Sequence, residues 1–130
     1  MSTSSERPPV TCHVLDTSVG KAASGIPCTL SRFLKLVDGS PSSSSFEVAR
    51  ALTDKDGRVA AWEMRQKGVA GRLELDEGFT YKIRFETWEH FQGETFFPYV
   101  EVVFTVKDPA QHHHIPLLLS PYSYTTYRGS

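Results

Sequence analysis

Between residues 79 and 87 the side chains alternate without a break. Phe79, Tyr81, Ile83 and Phe85 fall on one parity, and Thr80, Lys82, Arg84 and Glu86 on the other. A period of two belongs to a strand that buries one face, because helical side chains recur every 3.6 residues instead. Residues 10–16 repeat the pattern, with Val10, Cys12 and Val14 opposed to Thr11, His13 and Leu15. Further strand candidates cover residues 28–37, 46–52, 58–62, 99–106, 112–119 and 121–126. Turn signals separate them: Gly20, Gly25 and Pro27; the Gly/Ser/Pro loop 38–45, read as an exposed hairpin end; Thr53-Asp54-Lys55-Asp56-Gly57; and Asp108-Pro109. Residues 63–77 carry the weakest pattern, with an extended piece around 73–75. One short helix is expected over residues 88–92, with Thr87 as its N-cap and Gly93 as its stop. About eight short strands with turns between them make an all-β sandwich or barrel.

Length and charge bound the partners. The 130 residues suit one domain, expected at residues 10–130 behind a disordered, serine-rich lead-in at 1–9. The net charge of -1 gives no electrostatic case for nucleic acid or an anionic membrane. No apolar run reaches the roughly 18 residues that cross a bilayer. Cys12 and Cys28 are expected as reduced core thiols. Residues 1–9 lack an apolar signal segment, and the terminal Arg128-Gly129-Ser130 differs from the Ser-Lys-Leu peroxisomal address. The expected location is therefore cytoplasmic, with the peroxisome as alternative.

Alternation also sorts the histidines. In the strand 112–119, the parity of His113, Ile115, Leu117 and Leu119 is apolar and should face the core. His112, His114, Pro116 and Leu118 should face outward, as should His13 in the first strand. If the two strands share a sheet, His13 and His114 stand on one surface, although a one-residue slip would separate them. Imidazoles that titrate near neutrality can take a proton from water. A guanidinium nearby can steady an oxyanion, and Arg58, leaving a tight turn, is the candidate. Competing readings attach to the same residues. His112 and His114 have the His-x-His spacing of a metal pair, but no third ligand stands out. Asp54-Lys55-Asp56-Gly57 lacks the later ligands of a calcium loop and reads as a β-turn. Cys12 and His13 point to opposite faces and make a poor nucleophile pair. Tyr122, Tyr124 and Tyr127 suit packing or an interface.

Several blocks then stand together in order: His13-Val14-Leu15-Asp16 with Gly20-Lys21-Ala22-Ala23; Thr53 to Arg58; Phe96-Phe97-Pro98; His112-His113-His114-Ile115-Pro116-Leu117-Leu118-Leu119-Ser120; and Tyr127-Arg128-Gly129-Ser130. Over residues 10–130 the chain resembles the 5-hydroxyisourate hydrolases, the transthyretin-related proteins of purine breakdown. The resemblance implies an all-β, two-sheet, eight-stranded transthyretin-like (prealbumin) sandwich with one short helix, assembled as a homotetramer. It implies cofactor-free hydrolysis of 5-hydroxyisourate, a small-molecule substrate, to 2-oxo-4-hydroxy-4-carboxy-5-ureidoimidazoline. It makes His13, Arg58, His114 and Ser130 the catalytic set. His13, Arg58, Tyr127, Arg128, Gly129 and Ser130 would bind substrate, with Ser130 ordering the polar network through its hydroxyl and free carboxylate. The terminal tetrapeptide separates hydrolases from hormone-carrying transthyretins, so the alternative, a carrier of a small aromatic ligand, should lack it. Outward Leu15, Leu118 and Tyr122 give the tetramer independent support.

Overall fold

The computed structural model describes residues 8–65 and 72–130. Among the described residues nine strands follow in order: β1 (Val10–Asp16), β2 (Lys21–Ala22), β3 (Pro27–Lys35), β4 (Pro41–Leu52), β5 (Glu63–Met64), β6 (Thr80–Phe85), β7 (Val100–Thr105), β8 (His113–Ser120) and β9 (Ser123–Thr126). They form two sheets, β2-β1-β8-β9 and β5-β4-β3-β6-β7. Every pairing is antiparallel except β1 with β8, which run parallel. The alternation in the sequence sets which face is inside. β1 alternates buried and half-buried along its whole length, and Tyr81, Ile83 and Phe85 of β6 are buried. With Leu30, Val100, Ile115, Leu117 and Leu119 they fill the space between the sheets. Full burial of side chains of this size stabilises by about 1.5–3 kcal/mol each before conformational entropy is counted.

β8 keeps the expected parity with one exception. His113, Ile115, Leu117 and Leu119 are buried, and His112, His114 and Leu118 are half-buried, but Pro116, expected outward, is buried as well. Cys12 and Cys28 are free thiols in the core. Hydrogen bonding to Cys28 and burial push the Cys12 thiol well above its ordinary pKa, so it is protonated and unreactive at neutral pH.

Three local expectations are corrected. The loop expected at 38–45 shrinks to residues 36–40, closed by Leu36 N–H to Ser40 O (2.7 Å) and by two bonds from Ser40 to the Asp38 carboxylate. The serines beyond it belong to β4, where Ser45 opposes Phe33; cross-strand pairing overrides their weak strand preference. No strand forms at 58–62, because only Arg58 finds a bridge partner. Residues 88–92 make a turn and no helix. Gln92 N–H reaches Glu89 O and Gly93 N–H reaches Trp88 O, both at 3.0 Å, while Gln92 sits at φ 54°. This paired closure with a left-handed residue stops the chain from continuing as a helix beyond the turn. In the poorly patterned segment, Glu63–Met64 pairs with β4, Leu73 and Leu75 are buried outside any strand, and residues 66–71 lie outside the described residues, as do residues 1–7 of the expected lead-in.

Candidate active site

The parallel β1/β8 pair lays out one end of the first sheet's outer face. Its register sets Thr11 beside His114 and His13 beside Pro116. His13 and His114 therefore stand on the same face of neighbouring strands, two residues apart along the register. The segment after the tight turn runs antiparallel along β1's other edge. Val14 N–H bonds to Gly57 O (2.7 Å) and Val59 N–H to Cys12 O (3.2 Å), which makes His13 and Arg58 a directly opposed pair. Because the bonds flank that pair, it is the close kind, with Cα atoms about 4.5 Å apart and side chains on one face.

The turn that delivers Arg58 is built by Asp54. Its carboxylate accepts the backbone N–H of Asp56 (2.8 Å) and of Arg58 (3.0 Å). These two bonds, first that from Arg58 and then that from Asp56, hold the Asp54 carboxyl below its ordinary pKa, with the Arg58 and His13 charges adding a smaller effect. Gly57 is required twice over. Its φ of 76° suits glycine, and a Cβ there would lie 2.3 Å from Val14 O. The tail is fitted as closely on the other side. Gly129 N–H bonds to His114 O (2.9 Å), and a Cβ on Gly129 would fall 2.6 Å from His114 Cδ2. Glycine is thus the residue that lets the tail lie flat against the imidazole.

These elements enclose a cleft of about 310 Å³ lined by Thr11, Asp54, Arg58, His112, His114 and Ser130, with Cys12, Val59 and Ala60. Arg58, His114 and Ser130 are thereby brought together. His13 stands beside Arg58 without lining the cleft, because its Nε2 is turned to the carbonyl of Asp56, 3.0 Å away. A carbonyl only accepts, so Nε2 carries the hydrogen and a neutral His13 ring keeps its lone pair on Nδ1. Tyr127 and Arg128 depart from the expected pocket wall. They line a separate slot of about 210 Å³ with Phe104, His113 and His114, and Arg128 Nη2 donates to Gln111 Oε1 at 3.2 Å. Burial, with the nearby Arg128 charge, lowers the pKa of His113, which keeps this core imidazole neutral.

Two cleft residues escape a reading of the sequence by motif. Thr11 bonds to both His112 and His114, and only its shared parity with His13 hinted at its place. Asp54 acts through backbone bonds rather than as a metal ligand. Among the described residues no group of three or more His, Cys, Asp or Glu side chains is arranged to hold a metal ion.

The two-sheet sandwich is of the transthyretin-like class, a fold shared with solved transthyretin structures. The HIUase/Transthyretin family model matches residues 10–129, and the chain belongs to that family. A mouse protein named 5-hydroxyisourate hydrolase is 42% identical over 128 residues, covering 96% of this chain and 98% of its own. The structure of Klebsiella pneumoniae 5-hydroxyisourate hydrolase superposes with a TM-score of 0.67 at 27% identity, over 93% of this chain and 97% of that one. Sea bream transthyretin in complex with thyroxine gives a TM-score of 0.69 at 26% identity, over 93% and 94% of the two chains.

Proposed function

We propose that this chain hydrolyses 5-hydroxyisourate to 2-oxo-4-hydroxy-4-carboxy-5-ureidoimidazoline in the breakdown of urate. The mouse hydrolase, matched over nearly its whole length, carries the reading. Fold alone does not choose between hydrolase and carrier, since the Klebsiella hydrolase and the thyroxine-bound transthyretin superpose about equally well. The cleft favours hydrolysis. It holds a permanent cation and imidazoles beside one another, a lining suited to moving protons and to steadying a negative oxygen.

In the proposed reaction an imidazole, His114 in the cleft or His13 beside it, takes a proton from water as the water oxygen attacks the ring carbonyl. Arg58 orients the substrate and faces the oxyanion. The ring C–N bond then breaks, the imidazolium returns its proton to the departing nitrogen, and the carbonyl carbon becomes a carboxylic acid that loses the second water proton to solvent. Ser130 orders the polar network. Freshly prepared 5-hydroxyisourate is the test substrate. Wild-type protein should speed its decay, and His114→Ala should slow that decay by about 10²-fold or more. Decay at the same rate with and without wild-type protein would rule the reading out.

The working unit is proposed to be a homotetramer. β7 and β9 each end a sheet with one side unpaired, and Val103, Tyr122, Tyr124 and Tyr127 are exposed on or beside those edges. Open edges and exposed aromatic rings both favour a second copy. Sedimentation at falling concentration, run beside the decay assay, should show activity disappearing as the assembly dissociates; an active monomer would contradict a shared site.

A further inference from the structure

Thr11 has no part in the hydrolytic scheme above, yet its hydroxyl touches two histidines at once. Its Oγ1 lies 2.9 Å from Nε2 of His112 and 2.8 Å from Nδ1 of His114. The register produces this arrangement. Thr11 is the cross-strand neighbour of His114, and His112 has the same parity as His114. The two rings lie 17° from parallel with centroids 6.5 Å apart. A hydroxyl has one proton. It can donate to one ring only, so at least one ring must donate to it, and a chain in which one ring donates and the other accepts satisfies all three groups.

We propose that Thr11 is a positioning residue whose hydroxyl joins the tautomers of His112 and His114 into one linked choice and relays a proton between the two rings. The proposal rests on the hydrolytic reading of the cleft. In one state His114 Nδ1–H donates to Thr11, and Thr11 donates to His112 Nε2. The His114 lone pair is then on Nε2, where it can accept a proton from water. In the other state His112 Nε2–H donates to Thr11, and Thr11 donates to His114 Nδ1. His114 then carries its hydrogen on Nε2, where it can supply a departing nitrogen. The exchange balances. When His114 Nε2 gains a proton, its Nδ1 proton passes to the Thr11 oxygen as the Thr11 proton passes to His112 Nε2. Only N–H and O–H bonds change, and one positive charge moves from His114 to His112. The neighbouring His13, held by a carbonyl that only accepts, has no such choice while that bond lasts.

The test separates geometry from chemistry. Nitrogen-15 NMR of the histidine rings, recorded with the rings neutral, reads which nitrogen carries hydrogen and needs no substrate. Thr11→Val keeps the side-chain shape and a good strand former but removes the relay. It should change the ring-nitrogen pattern of His112 and His114 together and slow 5-hydroxyisourate decay by about 10-fold or more. Thr11→Ser, which restores a hydroxyl, should recover both the pattern and most of the rate. If Thr11→Val fails to fold, His112→Gln carries the test, because losing the far ring should alter the His114 nitrogens across the hydroxyl. His114 nitrogens unchanged in a folded Thr11→Val protein, or in His112→Gln, would overturn the linkage. A wild-type protein that leaves 5-hydroxyisourate untouched would overturn the functional reading instead, with the linkage still decided by the NMR comparison.

Discussion

The outward faces of the two sheets treat charge in opposite ways. On the five-stranded sheet, cations meet partners in place. Lys82 pairs with Glu101 at 3.2 Å, and Arg84 pairs with Glu86 at 2.6 Å while lying 3.6 Å over the Tyr99 ring. Arg32 pairs with Asp76 between the rings of Phe46 and Phe79. On the four-stranded sheet the Thr11 hydroxyl bonds to His112 and His114, and the Asp56 carbonyl accepts from His13. Beside them Arg58 forms no ion pair with any described residue. A cation already neutralised has little left to give a substrate. One held only through its backbone keeps its full charge for the ligand. The difference is the one expected between charge that covers a surface and an Arg58 charge proposed to meet a substrate.

Exchanging equivalent substitutions between the faces should break this contrast if it is false. Arg58→Ala should lower kcat/KM for 5-hydroxyisourate by about 10²–10³-fold, the cost of removing an oxyanion partner. Arg84→Ala should change it by less than about twofold, since exposed ion pairs contribute only about 0–1 kcal/mol to stability. Equal losses would show that the two arginines do the same job.

Gly129→Ala sharpens the comparison with a smaller effect. The added Cβ must displace the tail or the His114 ring, and a misplacement of about 1 Å in such a site can cost up to about 10²-fold. Activity should fall by about 10- to 100-fold while the melting temperature moves by no more than about 4 °C, because the atoms nearest the added Cβ belong to His114, outside the core cluster. A large drop in melting temperature would make Gly129 a structural residue first.

The smallest effect concerns a charge on the four-stranded sheet that is paired. Asp16, at the end of β1, accepts bonds from Ser18 and from His90 Nε2 at 2.7 Å. Burial alone would raise its pKa, but the bonds from Ser18 and His90 outweigh burial and hold it below the ordinary value. A depressed carboxyl stabilises the fold fully above its unfolded pKa of about 3.9, and that stability is lost as pH falls through the lower folded value. Thermal melts across the acid range should therefore show wild type losing stability below about pH 4. Asp16→Asn should be less stable at neutral pH and should fall less steeply in acid, with the activity profile near neutrality unmoved. Parallel acid limbs for the two proteins would remove Asp16 from the acid response.

The faces of β1, β6 and β8 were legible because strand side chains alternate strictly, so each residue's side follows from its neighbours'. That rule alone put His13 and His114 on outer parities. It failed where tertiary contacts decided. Pro116 is buried on the nominally outer face. The serines of β4 are strand only because Phe33 and its neighbours pair with them. Gln92 adopts a left-handed conformation ahead of Gly93, the expected stop, and the expected helix is cut to a turn. Within the cleft, Arg58 was visible from its place after the Asp-Gly turn. Thr11 was not, because its two partners depend on a register between distant strands. Tyr127 and Arg128 were expected at the cleft only through the family resemblance of the terminal tetrapeptide, and in this structure they line another slot.

The parallel pairing of β1 with β8 has a kinetic consequence. Thr11 and His114 are 103 positions apart, so the rim of the cleft closes one of the longest loops the chain can form. Contacts of such high order pay their entropy before they return any stability, and they slow folding. On the ribosome β1 must wait, the edge it gives to β8 open, until β8 has emerged. The hairpins of the five-stranded sheet, being local, can form during that wait. The catalytic competence of this protein should therefore appear in one late step, after most of its secondary structure is in place.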